Sequence, residues 1–407
     1  MATSKFLPKI AIIGAGPAGL TLANLLHKSF PSSSSPITIF DLRSAPSASA
    51  LHTPSGSLDL HPGSGLLAIE KCGLTSNFKT LISDCSEQTI VADKSGKIWY
   101  QDDNQTGERP EISRNALTYL LLSSLPQDLI RWNTKVLSVT PGSEKKWKIT
   151  FGNKQQDEFD EVVGADGAWS KARDAIPGAS KPFYSGASYL TFTIRNLSTK
   201  YPSLHSLVGN GSYCAFSEHK AVISQRGAMG SVRLYLMMSI PSSSYFSDSG
   251  LDSLPPAELK QKLLGEEDFF QSWGNELKDL VAAGCDAVED KMEARPLYMH
   301  PIGDSWTHTP GITLIGDAAH LMTPSGEGVN CAMLDALELS EAITSSLETR
   351  GGLDEAVKAF EEKMWKRSKE LMVDADQMKK IMLEDKNAPE QFCQMFESAE
   401  EGAQAQE

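Results

Sequence analysis

The residue types best suited to chemistry here are acids and glycines set at the ends of short apolar runs. Ile312, Thr313, Leu314 and Ile315 lead into Gly316-Asp317; Pro324 and Gly326-Glu327-Gly328 then precede a run with apolar positions at Val329, Ala332, Met333, Ala336 and Leu337. The first run predicts a short buried strand and the last an amphipathic helix. An acid at a strand's carboxyl end lies where open α/β sheets bind ligands. A glycine-bordered helix N-terminus adds free N–H groups and partial positive charge, which suits an anionic or electron-rich ligand edge.

A second constellation lies near the N-terminus. Ile10 to Ile13 read as a strand, Gly14, Gly16 and Gly19 form G-x-G-x-x-G around Ala18, and residues 20–28 continue as a helix. Glycine there permits a tight turn, close approach of a pyrophosphate and close helix–strand packing. A further strand, Ile37 to Phe40, ends at Asp41, 22 residues after Gly19, from where a carboxylate can accept a ribose hydroxyl. Together these specify dinucleotide binding. A nicotinamide dehydrogenase needs this unit alone, whereas a cofactor with a ribityl chain and a large ring needs contacts at its far end, which Gly316-Asp317 is placed to supply. That favours FAD over NAD.

GAGPAG, GDAAHLMTPSGEGVN and, between them, GADGAWSKAR at Gly164 to Arg173 resemble the group A FAD-dependent monooxygenases, the single-component aromatic hydroxylase type. LDLHPGSG at Leu58 to Gly65 and EISRNAL at Glu111 to Leu117 look most like the tetracycline-inactivating branch. The resemblance implies an α/β fold: a Rossmann-like FAD-binding domain of the GR2/PHBH type, an inserted antiparallel β-sheet substrate domain and a C-terminal bracing helix. It also implies bound FAD, NADPH or NADH as transient reductant, and hydroxylation or epoxidation of a small aromatic, enolic or alkene substrate by O2 through a flavin hydroperoxide.

By the same resemblance, Asp317 meets the ribityl or phosphate region, Pro324, Gly326, Gly328 and Val329 the ring, Arg114 the flavin or its phosphates, and Asp166 the pyrophosphate. Arg43 is either near the adenosine or a solvated loop arginine. His61 could line the active-site mouth, although a histidine before a proline is more often a turn residue, and His320 could tether its loop. No general base is identifiable. Alternatives are a FAD-dependent reductase or oxidase, a halogenase, whose W-x-W-x-I-P motif is absent, or a non-catalytic FAD-fold binding protein.

The elements that must position these groups follow from composition and periodicity. At 407 residues and 40% apolar, the chain can bury a sizeable core. A net charge of −14 without a basic stripe argues against nucleic acid, and no apolar run is long enough to span a membrane. Six cysteines without metal-ligand spacing, and no secretory signal, point to a cytoplasmic protein without a metal, a monomer or weak homo-oligomer.

The FAD-binding domain is expected over 1–80, 109–180 and 295–350, with Pro31 to Pro36 as a surface loop. A helix spans 65–73 with Gly73 as its C-cap, a helix over 111–122 carries Arg114 in its first turn, a hairpin lies within 129–151, and Ser170 and Arg173 open another helix. The substrate domain is expected over 81–108 and 181–294, closed by helices at 257–270 and 276–283. Alternating runs within 188–240 would build its wall from Phe192, Tyr213, Phe216, Gln225, Arg233 and Tyr235. Polar residues matching a tetracycline site are not recovered in register. A C-terminal helix is expected over 351–397 and a disordered acidic tail over 398–407.

Overall fold

The computed structural model describes residues 7–30, 37–47, 49, 53–82, 86–102, 107–217, 219–288, 292–349 and 351–404. The lead-in before residue 7, the serine-rich loop expected at 31–36 and the last three residues of the expected tail lie outside them.

Apolar strands flanked by glycine turns assemble a parallel five-stranded sheet in the order Ile312–Leu314 (β17), Glu161–Gly164 (β11), Ile10–Ile13 (β1), Ile37–Phe40 (β2) and Ile130–Arg131 (β7). Its inner strands are almost wholly buried, as expected when both faces of a parallel sheet are covered. On one face lie Pro17–Ser29 (α1), Gly65–Cys72 (α2), Thr75–Lys79 (α3), Arg114–Ser123 (α4) and Gly328–Thr349 (α11). On the other, Val136–Pro141 (β8), Trp147–Phe151 (β9) and Gln156–Phe159 (β10) form an antiparallel sheet. It meets the parallel sheet where the Phe40 ring lies 4.9 Å from Phe151 and 5.7 Å from Phe159.

The second core is a seven-stranded sheet ordered Glu293–Met299 (β16), Phe183–Ile194 (β12), Ser231–Ser239 (β15), Lys220–Gly227 (β14), Ser212–Ser217 (β13), Thr89–Asp93 (β4) and Ile98–Asp102 (β5). Its pairing is antiparallel except between β4 and β13, which run parallel. Leu197–Lys200 (α5), Pro202–Val208 (α6), Tyr245–Asp248 (α7), Pro256–Gly265 (α8) and Asn275–Asp286 (α9) supply the helical cover of one face. Ser57–Asp59 (β3) and Glu111–Ser113 (β6) form a small antiparallel pair beside the first domain.

Several boundaries differ from the sequence expectation. Residues 111–113 are strand because they pair with β3, so the helix begins at Arg114, with the Ser113 hydroxyl accepting the Ala116 N–H at 3.1 Å. The helix expected from Ser170 is a single turn at Arg173–Ala175, and the helix expected to reach residue 270 ends at Gly265. β16 pairs with β12, so the substrate sheet continues past residue 294. Leu353–Glu384 (α12) fills only the first part of the single helix expected over 351–397. It is followed by Ala388–Gln404 (α13), so residues 398–404 are helical where a disordered tail was expected. The docking of α13 explains this: Phe392 stacks on Phe216 at 4.5 Å and Phe396 on Tyr100 at 5.2 Å, and burying such faces stabilises a helix more than propensity does.

The helix α12 touches both sheets. Its buried Glu361 accepts from Thr313 of β17 at 2.8 Å and from Trp306 at 3.2 Å, while its Lys379 donates to the Ser185 carbonyl of β12 at 3.1 Å.

Candidate functional site

At the glycine loop, the three glycines serve two purposes. A side chain at Gly14, whose φ is +107°, would start 2.2 Å from the Ala165 carbonyl oxygen, and one at Gly19 would start 2.1 Å from the Gly14 carbonyl oxygen. These two allow β1, β11 and α1 to close on one another. Beside Gly16 there is nothing within 4 Å, so its missing side chain leaves open space at the uncapped N-terminus of α1. Such an opening has the room and the free N–H groups that a phosphate needs. Asp166 lies directly against this loop, its Cα 3.0 Å from where a Gly14 Cβ would be. One of its oxygens accepts the Lys171 N–H at 2.7 Å, the other is buried without a hydrogen-bond partner, and burial raises its pKa.

Asp41 is at the expected place but is not free. A carboxylate has about four acceptor positions, and here the Ala15 N–H, the Arg43 N–H and two guanidinium N–H groups of Arg43 occupy them at 2.8–3.0 Å. Burial pushes the carboxyl up, but these donors outweigh it and hold it below the usual range. Arg43 therefore folds back over Asp41 and the Ala15 carbonyl, at 3.0 Å. Together the pair stiffens the glycine loop.

The two constellations meet at Gly316. Its φ is +61°, and a Cβ on it would lie 3.3 Å from that of Ala18 in α1 and 3.1 Å from that of Ala332 in α11. The end of β17 is thus wedged between the first turn of α1 and the second turn of α11. Asp317, which opens the short helix Asp317–His320 (α10), is reached by solvent yet closely surrounded by protein, as a carboxylate in a cleft is. Burial raises its pKa, with the charges of His320 and Arg114 opposing. Arg114 is the first residue of α4, and no acidic partner for it is found among the described residues.

Buried contacts missed by the sequence reading hold this segment. Asp335 of α11 accepts from Gly316 N–H at 2.9 Å, His320 at 2.6 Å and Arg367 of α12 at 2.6 Å. Burial works against charge on His320, but Cys331 and Asp335 beside it outweigh that and raise its pKa well above the usual value. His320 thus tethers the loop, as expected. Arg173 is buried: it donates to the Ala318 and Ala319 carbonyls at 3.0 Å each and pairs with Asp304. His320, Cys331 and Asp335 place one nitrogen, one sulfur and one oxygen within 4.8 Å, but Arg367 already neutralises the carboxylate.

At the other end of the cleft, Pro324 is exposed, Gly326 has φ +88° and Gly328 begins α11. Cys331 N–H bonds back to the Glu327 carbonyl, which leaves the N–H groups of Gly328, Val329 and Asn330 outside the helical ladder. The Ser325 hydroxyl nearby is buried without a partner. His61 lies between two acids, 2.8 Å from Asp59 and 3.2 Å from Glu327. These raise its pKa to about 9, so at neutral pH it is a cation and not a base.

The expected wall residues divide by strand register. Tyr235 pairs with Thr191, Arg233 with Thr193 and with Gln225, so these share one face; Phe192 pairs with Leu234 and Tyr213 with Ser224, one step out of phase. Phe192 and Tyr213 accordingly pack into the core under α6, α8 and α9, and are not wall residues. Phe216 is on the other face but is covered by Phe392. Tyr235 reaches the cleft: its hydroxyl lies 2.9 Å, and Arg114 Nε 3.4 Å, from where a Gly56 side chain would start. Tyr189, not singled out from sequence, stands edge-on to Tyr235 with ring centroids 5.9 Å apart. Arg233 is occupied by Thr193 and Glu293.

No helix among the described residues is long and apolar enough to cross a membrane. Residues 124–372, more than half of the chain, match the family model described as FAD binding domain. The monooxygenase penA of Penicillium thymicola is 40% identical over 411 residues, covering 91% of this chain and 94% of its own. Among solved structures, HpxO of Klebsiella pneumoniae complexed with FAD and uric acid superposes with a TM-score of 0.74 at 19% identity, covering 95% of this chain and 92% of that one. The tetracycline destructase Tet(55) does so at 0.66 and 18% identity, covering 90% and 89%. With the glycine cradle, the orphaned Asp166 oxygen and the two converging helix N-termini, these findings show that the chain belongs to the FAD binding domain family and is an FAD-dependent monooxygenase.

Proposed function

We propose that the protein takes electrons from NADPH or NADH and uses O2 to hydroxylate or epoxidise a small aromatic, enolic or alkene substrate. The observation that carries this reading is the convergence on Gly316, next to Asp317, of the N-terminal ends of two helices, with Tyr235 and Arg114 meeting at Gly56. FAD, when bound, supplies the redox and oxygen-activating chemistry. Gly14, Gly16, Ala18 and Gly19 with the start of α1 hold its pyrophosphate, assisted by Asp166, and Asp41 with Arg43 shapes the adenosine side. Asp317 takes the ribityl chain, and Pro324, Gly326, Gly328 and Val329 border the ring. The N-terminus of α11 stabilises negative charge along the ring edge by up to about 2 kcal/mol.

Arg114 adds a cation to the same cleft. Tyr189 and Tyr235 give the substrate an aromatic wall, with Gln225 and Arg233 farther along the face and His61 at its rim. No side chain is assigned as a general base; the wall orients the substrate and keeps water out. The described cysteines are free thiols, which suits a cytoplasmic protein, and we take it as a monomer or weak homo-oligomer.

The test is direct. The purified protein should be yellow and should consume NADPH or NADH faster with some phenols or electron-rich alkenes than without, yielding a product heavier by one oxygen. Cofactor consumption without oxygen insertion would favour a reductase or oxidase, and a colourless protein that takes up no FAD would remove the reading altogether.

A further inference from the structure

His61 joins two loops that are far apart in sequence. On one side Asp59 ends β3; on the other Glu327 lies just before α11. Asn330, fully buried in the first turn of α11, makes the same connection through neutral groups: its amide donates to the Asp59 carbonyl at 3.0 Å and its oxygen accepts the His61 N–H at 2.9 Å. The loops approach so closely that a side chain on Gly326 would start 3.8 Å from the Asp59 carboxylate. The charged groups acting on the ring are Asp59 and Glu327; Ser64 and Asn330 on the neighbouring elements are neutral. With the imidazolium in place the three charges sum to −1; without its proton the sum is −2, and a neutral ring with one N–H can donate to only one of the two carboxylates.

We propose that His61 is a positioning residue: its imidazolium, held between Asp59 and Glu327, locks the loop after β3 to the start of α11 and so fixes the ring end of the FAD cleft. The proposal rests on the assignment of that end to the ring. It goes beyond it in making retention and placement of the ring depend on one proton. A cation is required there and a neutral hydrogen-bonding side chain is not enough, because the second carboxylate would remain uncompensated.

The experiment follows loss of FAD from the holoprotein after dilution, read as the rise of free-flavin fluorescence, between pH 6 and 10. Wild type should release FAD at a constant rate up to pH 8 and several-fold faster once the pH passes about 9. His61→Gln should release it fast throughout, with no pH step, and adding Glu327→Gln to that variant should restore part of the retention by removing the repulsion. A flat wild-type profile overturns the proposal even if the variants fail to fold. So does a His61→Gln protein with the wild-type rate and step, or a double variant no slower than the single one. A protein that shows the expected release pattern but oxidises no NADPH or NADH would refute the proposed reaction and leave this role standing.

Discussion

The N–H of Gly316 donates to the buried carboxylate of Asp335 at 2.9 Å. That bond ties the residue before Asp317 to α11, and Arg367, on the same carboxylate at 2.6 Å, ties α11 to α12. The position of the cleft's acid therefore depends on two helices beyond its own strand.

Asp335→Ala should leave His320 buried without its carboxylate partner and Arg367, 19% exposed, with Glu338 alone. The expected loss is about 3–5 kcal/mol of stability, the range for breaking a buried pair. Chemical denaturation checks it, and a loss below about 1 kcal/mol would mean the network is dispensable.

Gly14 and Gly16 should respond in opposite ways to alanine. Gly14→Ala puts a Cβ 2.2 Å from the Ala165 oxygen at a φ of +107°, and should cost roughly 1–3 kcal/mol or more of stability. Gly16 has ordinary extended backbone, with φ −84°, and no neighbour within 4 Å. Gly16→Ala should fold normally but weaken FAD binding about tenfold or more, roughly 1.4 kcal/mol. Equal flavin affinity in Gly16→Ala and wild type would show that the open space is not the phosphate cradle.

Asp317→Ala removes a carboxylate whose pKa burial raises and whose side chain has no hydrogen-bond partner among the described residues. Apoprotein stability should change by no more than about 0.5 kcal/mol, while the flavin-to-protein absorbance ratio after purification falls sharply. Normal flavin content would refute the ribityl role.

Glu161 should make stability depend on pH. Burial, then Asp354 and Asp160, raise its pKa from 4.5 to about 7, with His308 opposing. Between those values the folded state holds a proton that the unfolded state has lost, so its contribution is full below pH 4.5 and disappears as pH rises through about 7. Glu161→Gln should therefore be more stable than wild type at pH 8, by on the order of 1–2 kcal/mol, with little difference at pH 4.5. Parallel stability curves for the two proteins would contradict the assignment.

Phe192 and Tyr235 test the two faces of the large sheet. Phe192→Ala should cost about 3–5 kcal/mol of stability and leave substrate preference unchanged. Tyr235→Ala should raise KM or change which substrates stimulate reductant consumption, at small cost to folding. The reverse pattern would mean that the register assigns the wrong face.

The sequence alone determined the cofactor half. G-x-G-x-x-G between a strand and a helix, and Gly-Asp at the end of β17, are local patterns whose φ values and helix termini follow from a few adjacent residues, so FAD and the placement of Gly16, Asp317 and Gly328 at helix starts were legible. The tertiary structure alone decided which wall residues face the cleft. Side chains in a strand alternate with period two, so placing Phe192 or Tyr235 requires the pairing partner and not only the pattern. It also decided that Arg173 is buried against α10 and that Asn330 holds His61 from 269 residues away. Hydrogen bonds between such distant residues leave no periodic trace in a chain, because they depend on how whole elements pack and not on the spacing within any one of them.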